Sequence, residues 1–342
     1  MAKKPKLSVR QKRQVQDNRK KRIDKHHVTP DANLGEQISG RVVGRFGKHA
    51  NVECLADRAV HKCHIRRTIE SVVCGDHVLF RPSISAEERD RGVIEIVQDR
   101  KTTLTRPDFY DGVKPVAANI DQILVVSSIV PTLSCHIIDR YLVACEAVSI
   151  PAIIIINKIE LLSDEDRDYV NEMMEIYTDI GYRVILTSCE TGEGIDELSA
   201  FLSEKVSVFV GQSGVGKSSI VNQLLPDAQE VVGEVSGNSG LGQHTTTTAK
   251  LLKFKHGGDL IDSPGVREFG LWHLPTEQIT SGFIEFRYYL GGCKFSDCTH
   301  GADPGCLIRE AVVAGKITED RYESYHKIIE SNDENRPAHA TT

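Results

Sequence analysis

The run Gly211-Gln212-Ser213-Gly214-Val215-Gly216-Lys217-Ser218-Ser219 sets glycines, a lysine and hydroxyls at the spacing G-x4-G-K-[S/T]. Those residue types dictate a chemistry. Glycines let successive backbone N–H groups turn inward on phosphate oxygens, and a helix that follows adds its positive end. Lys217 reaches terminal phosphates, and the Ser218 hydroxyl suits a magnesium ion. The apolar run Val206–Val210 before the loop and the amphipathic run Ser219–Leu225 after it supply the strand and helix such a loop needs. Gly211 to Ser219 therefore reads as a nucleoside triphosphate site. In Leu260-Ile261-Asp262-Ser263-Pro264-Gly265, 45 residues beyond Lys217, a short apolar run ends on a carboxylate. Asp262 there suits magnesium, through water, and the Gly265 N–H suits the terminal phosphate. Between the two lies Gly240-Leu-Gly-Gln-His244-Thr-Thr-Thr247-Thr248, glycine-rich and hydroxyl-rich, as suits a segment that orders around phosphate and magnesium. Thr246 and Thr247 both fit the magnesium position, and Thr247 is carried forward.

A second cluster, Cys293-x4-Cys298-x-His300-x5-Cys306, brings three thiols and an imidazole within fourteen residues. That donor set fills a tetrahedron, the structural form of a zinc site, and one zinc per chain is expected. Iron–sulfur ligation is the weaker alternative because one ligand is His.

The base is addressed by Asn157-Lys158-Ile159-Glu160, which ends the apolar run Ala152–Ile156. It resembles the Asn-Lys-x-Asp guanine signature of GTPases, with a carboxylate one methylene longer at Glu160. Thr187-Ser188-Cys189 resembles the loop whose backbone N–H approaches the guanine carbonyl. Together these favour GTP; an ATPase with a degenerate base site rests on Glu160 alone. In ordinary GTPases the base-reading pair follows the phosphate loop, whereas here both members precede it. The sequence resembles a circularly permuted GTPase, a rearrangement that leaves the spatial site intact.

The elements that must hold these residues read as a multidomain α/β chain. Residues 1–34 form a basic arm expected to be disordered. From 35 to 107 the texture is β: Gln37–Phe46, His49–Cys54, His61–Ile65, His77–Arg81 and Gly92–Val97 are short strands punctuated by glycine, as in a small oligonucleotide-binding (OB)-like barrel. Residues 108–275 alternate strands with helices. Asp121–Ile129, Ala152–Ile156, Tyr182–Thr187 and Val206–Val210 are strands, and His136–Val148 and Asp164–Ile180 amphipathic helices, giving a parallel sheet. Residues 276–331 hold the Cys/His cluster and helices near Leu307–Ala314 and Thr318–Ile329, a helical zinc-binding domain, and 332–342 a tail.

Apolar residues are 40% and charged residues 26% of the 342, a globular balance. The longest apolar stretch, Ile150–Ile156, is far short of a membrane span, and no signal-peptide pattern opens the chain, so membrane and secreted classes are set aside. Nine cysteines, an odd count with six scattered, read as reduced thiols in a cytoplasmic protein. The net charge of −6 hides an asymmetry. Residues 1–25 carry eleven Lys/Arg against Asp17 and Asp24, a net of +9, while the remainder carries 31 Lys/Arg against 46 Asp/Glu, a net of −15. A basic arm on an acidic body points to an anionic polymer partner.

The combination of basic arm, small barrel, permuted GTPase with Gly-x-Gly-x-His-Thr-Thr-Thr and Asp-x-Pro-Gly, and Cys/Cys/His/Cys cluster resembles the small-ribosomal-subunit biogenesis GTPases. The resemblance covers about residues 35–330. It implies a ribosome-stimulated GTPase, acting as a monomer, that binds the 30S subunit and 16S rRNA through barrel and zinc domain, assists late maturation, and uses hydrolysis of GTP to GDP as a release switch. The position after Gly265, where many GTPases place a water-orienting Gln, is Val266, so intrinsic hydrolysis should be slow. The resemblance points to His244 as the residue brought to the attacking water on docking. A different reading is an RNA-binding checkpoint module in which nucleotide sets affinity and hydrolysis is incidental.

Overall fold

Alternation of apolar and polar residues along Ile38–Phe46 (β1) buries Val42 against Ala50 and Val52 of His49–Cys54 (β2), Cys63 of Val60–Ile65 (β3), Val78 and Phe80 of His77–Arg81 (β4) and Ile94 of Gly92–Val97 (β5), all fully buried. Burial of each Val, Ile or Phe side chain among them contributes roughly 1.5–3 kcal/mol. The computed structural model describes residues 34–84, 92–108, 112–225, 249–263 and 274–334; most of the expected basic arm and tail lies outside them. The strands run in the order β1-β2-β3-β5-β4, and β4 pairs back onto β1, so the barrel closes. β3 and β5 pair in parallel and the other neighbours antiparallel. Gly40 sits where strands crowd: a Cβ there would lie 2.4 Å from Val52 Cγ1 and 2.7 Å from Phe80 Cε1. The expected OB-like barrel is therefore present.

An antiparallel hairpin, Thr103–Asp108 (β6) with Gly112–Ala118 (β7), joins the barrel to the nucleotide-binding body. That body follows the expected alternation: Gln122–Ser128 (β8), Cys135–Ala147 (α1), Ala152–Asn157 (β9), Asp164–Ile180 (α2), Arg183–Thr187 (β10), Ile195–Leu202 (α3), Val206–Val210 (β11), Lys217–Leu224 (α4), Lys250–Lys253 (β12) and Asp259–Asp262 (β13). The strand order is β10-β9-β8-β11-β13-β12, parallel except for β12. Ile123, Val125, Ile154 and Ile156 face one layer of helices; Leu124, Val126, Ile153 and Ile155 face the other, so the strands are apolar on both sides. Local chemistry sets the ends of α2. The Ser163 hydroxyl accepts from Asp166 N, Asp164, Glu165 and Asp166 fill the first turn, and Gly181 at φ +112° closes the helix.

The C-terminal unit holds Thr276–Gly282 (α5), a 3-10 turn at Ile284–Tyr288, Leu307–Val313 (α6) and Glu319–Glu334 (α7), the last running three residues past position 331. Its core of Ile279, Phe283, Phe286, Ile308, Tyr325 and Ile328 takes in Val143 of α1. Among the described residues, no helix is long and apolar enough to cross a membrane.

Candidate nucleotide site and metal cluster

Four motifs converge because β9, β10, β11 and β13 are parallel, so all their carboxyl ends open on one edge of the sheet, where open α/β sheets bind ligands. Asn157 ends β9, Thr187-Ser188-Cys189 leaves β10, Gly211–Gly216 leaves β11 and Asp262 ends β13. The sites expected from the sequence are thus brought together, with three exceptions. His244, Thr247 and Gly265 lie outside the described residues, as do Thr246 and Val266.

The loop Gly211–Gly216 needs its glycines. Gly211, Gly214 and Gly216 stand at φ +142°, +84° and +94°. A Cβ on Gly211 would lie 2.1 Å from Val126 O, and one on Gly216 would lie 2.2 Å from Asn157 Nδ2. Val215 is buried in the same cluster as Leu124, Val126 and Ile220 and anchors the loop, while Gln212, Ser213 and Gly214 face solvent. Lys217 Nζ donates to the carbonyls of Gly211 (2.7 Å) and Gln212 (2.5 Å), which holds the ammonium inside the loop's curve. Ser218 and Ser219 occupy the first turn of α4.

Asn157 is the hub. Its buried Nδ2 donates to Val215 O at 3.0 Å, and its Oδ1 accepts from Thr187 Oγ1 (3.2 Å) and the Cys189 thiol (3.8 Å). One amide therefore ties the loops after β9, β10 and β11 together. Lys158, in the left-handed region at φ +65°, donates to Gly214 O (2.6 Å) and Val130 O. Glu160 follows on a 3-10 turn, and its Oε2 is buried with no hydrogen-bond partner among the described residues. Burial and the nearby Glu160 carboxylate push the Cys189 thiol above its ordinary value. Ser188 builds its own loop: its Oγ accepts from the N–H groups of Glu190 and Thr191, and its N–H donates to Glu193 O at 2.9 Å.

Three contacts escape sequence reasoning. Thr187 orients Asn157, Val130 O holds Lys158, and Gln223 of α4 donates to Cys189 O at 2.9 Å. Their partners lie 28 to 34 residues away, so no local spacing announces them.

Cys293, Cys298, His300 and Cys306 present ligand atoms that all lie within 4.8 Å of one another. His300 Nδ1 stands 3.7 Å from Cys293 Sγ and 3.6 Å from Cys306 Sγ. A tetrahedral zinc sets sulfur and nitrogen ligands about 3.6 Å apart, so the donor set fits such an ion. Outer contacts hold the ligands: Tyr322 Oη donates to His300 O at 2.6 Å, and Asp303 accepts from Thr299 N and Oγ1. Desolvation, with His326 nearby, depresses the His300 pKa and keeps the imidazole in its neutral, ligating form. All nine cysteines are free thiols. His136, to which no ligand role is given, instead meets Ser324 Oγ at 3.3 Å.

Comparison with known proteins places this arrangement. The profile described as RsgA GTPase matches residues 97–272, a span that includes every residue of the candidate nucleotide site. Small ribosomal subunit biogenesis GTPases RsgA from Yersinia pseudotuberculosis and Yersinia pestis are 55% identical over 340 residues, covering 98% of this chain and 97% of theirs. YjeQ from Thermotoga maritima superposes with a TM-score of 0.71 at 35% identity, covering 88% of this chain and all of its own. YloQ, described as a circularly permuted GTPase, gives 0.70 at 25% identity over 91% of this chain and 99% of its own. Identity sustained along nearly the full length of both chains, and a profile laid over the site itself, show that the chain belongs to the RsgA GTPase family.

Proposed function

We propose that this GTPase works on the small ribosomal subunit in the cytoplasm, as a monomer, binding the 30S particle and its 16S rRNA late in maturation and leaving when GTP is hydrolysed. The observation that carries the nucleotide reading is the Asn157 hub beside Glu160 Oε2, which has no partner among the described residues. That carboxylate can accept two hydrogen bonds from a guanine edge, which an adenine cannot offer in the same pattern. With the Ser188 N–H engaged by Glu193 O, contact with the guanine carbonyl falls to Cys189. The loop Gly211–Ser219 cradles phosphates, and Gly265 adds its N–H to the terminal one. Ser218, Thr247 and Asp262 would hold magnesium, which neutralises phosphate charge when bound. Cys293, Cys298, His300 and Cys306 hold zinc, which supplies the C-terminal unit with a structural cross-link.

The ribosomal reading is supported by the names of the relatives and by charge on the barrel. Arg45, Lys48, His64, Arg66 and Arg67 line a groove of about 510 Å³ suited to phosphate oxygens. With Val266 where a water-orienting side chain is common, His244 is the proposed orienting group on the subunit.

Phosphate release from GTP and from ATP, each with and without purified 30S subunits, tests this. The expected result is slow GTP turnover alone, stimulation of at least about tenfold by 30S, and little turnover of ATP. His244→Ala should abolish the stimulation while leaving GDP affinity intact. Equal turnover of ATP would overturn the guanine assignment, and indifference to 30S would overturn the ribosomal one.

A further inference from the structure

The barrel and the nucleotide-binding sheet are one continuous sheet. β12 pairs with β13 on one side and, through Gly44↔Lys250, with barrel strand β1 on the other. An ionic cluster around a buried carboxylate fastens this seam. Glu53 on β2 is almost fully buried and faces three cations: Lys253 Nζ at 2.5 Å, Arg58 at 2.9 Å and Arg41 at 3.9 Å. Arg41 in turn donates to Asp259 Oδ2 at 2.7 Å. Burial alone would raise the Glu53 carboxyl; the cations outweigh it and hold the group below its ordinary value.

The geometry of the ribbon makes the cluster matter. Lys253 and Asp259 are paired at one end of the β12–β13 ladder, and Lys250 and Asp262 at the other. Three rungs, about 10 Å, separate the anchored end from the carboxylate at the nucleotide edge. The barrel braces that far end too: a Cβ on Gly75 would lie 2.0 Å from Ala118 O and 3.0 Å from Ile261 Cδ1, so this turn abuts the residue before Asp262. Nothing in the local sequence around Glu53 resembles a nucleotide motif.

We infer that Glu53 is a positioning residue for GTP hydrolysis: through Lys253 and the Arg41–Asp259 pair it fixes the β12–β13 ribbon, and with it the Asp262 carboxylate, against the barrel. A load on the barrel surface is thereby felt at the magnesium end of the nucleotide site. This rests on the reading of Asp262 as a magnesium group, and the test separates the two.

The full chain is loaded with a fluorescent GDP analogue, and its release is followed at graded magnesium concentrations. Wild type should release more slowly as magnesium rises, and Asp262→Asn should need far more magnesium for the same effect. Lys253→Met, at a half-exposed side chain whose loss leaves the folded core intact, should raise the magnesium requirement at least about threefold. Lys253→Arg should restore it, and Glu53→Gln should raise it further. Hydrogen exchange should quicken at residues 250–253 and 259–262 in Lys253→Met while β8 and β9 keep their protection. If Asp262→Asn matches wild type, the magnesium reading fails. If Asp262→Asn shifts the requirement but Lys253→Met does not, or shifts only thermal stability, the positioning role is overturned.

Discussion

Gly216 and Gly214 both stand at positive φ in the phosphate loop, yet their surroundings differ, and the difference ranks them. An alanine at 214 meets nothing nearer than Pro131 Cδ at 3.8 Å, so it carries backbone strain alone, roughly 1–2 kcal/mol. At 216 the added carbon would lie 2.2 Å from Asn157 Nδ2, the atom that joins the β9 loop to Val215 O. Gly216→Ala must therefore push the Asn157 amide off its partners, and the loops after β9 and β11 come apart together. Titration of a fluorescent GDP should show at least about tenfold weaker binding for Gly216→Ala and a clearly smaller loss for Gly214→Ala. Equal losses would mean that strain, not the Asn157 contact, governs the position. The glycine spacing was legible as sequence because it is local. The contact that makes Gly216 costlier to change was not, since Asn157 lies 58 residues from Val215.

At the scale of elements, the loop between the 3-10 turn at Ile284–Tyr288 and α6 shows what happens where apolar burial runs out. Between Gly291 and Gly305 all but the cluster's own residues, Gly301 and Asp303 are exposed, and Phe295 faces solvent. On the proposed zinc reading, a bound ion would supply the order that a core would otherwise give. α6 and α7, by contrast, bury Ile308, Tyr325 and Ile328 against Phe283 and Phe286. Treatment with a strong chelator should thus expose the 291–305 segment to protease while α7 stays protected, as read by mass spectrometry of the fragments. Retained protection of 291–305 after metal loss would show the segment to be held by its hydrogen bonds alone. The same contrast explains which elements were readable. β1, β2, β4 and β5 and the helices α1 and α2 announce themselves by period, because each presents an apolar face to a core. The β6–β7 hairpin does not: Pro107 and Pro115 fall inside it, and proline argues against a strand wherever it is read alone. β12 is four residues bracketed by Lys250 and Lys253, too short for a period, and its pairing with β1 spans about 200 residues of chain.

At the scale of the whole molecule, the C-terminal unit is bolted to the nucleotide-binding body by charge buried in an apolar joint. Arg321 of α7 is only 2% exposed. It donates to Asp139 of α1 at 2.5 Å, and its Nε and Nη2 grip both oxygens of Glu285 at 2.8 and 3.1 Å. Tyr177 of α2 donates to the same Asp139 oxygen at 2.8 Å, and the guanidinium lies 4.4 Å from the Phe283 ring centroid. Close packing reinforces the joint, since a Cβ on Gly282 would lie 2.7 Å from Val143 Cγ1. Such a network gains little over an apolar one of equal volume, because desolvation offsets attraction, but it is costly to break in half. Arg321→Met leaves two carboxylates facing an apolar surface and should lose about 3–5 kcal/mol in chemical denaturation. Asp139→Leu alone strands the arginine's Nη1 and should also be strongly destabilising. The double variant Arg321→Met/Asp139→Leu replaces an ion pair by an apolar contact, so its loss should be well below the sum of the single losses, a coupling of at least about 1 kcal/mol. Simple additivity would show the two groups to act independently, and the joint would then rest on its apolar packing rather than on the pair.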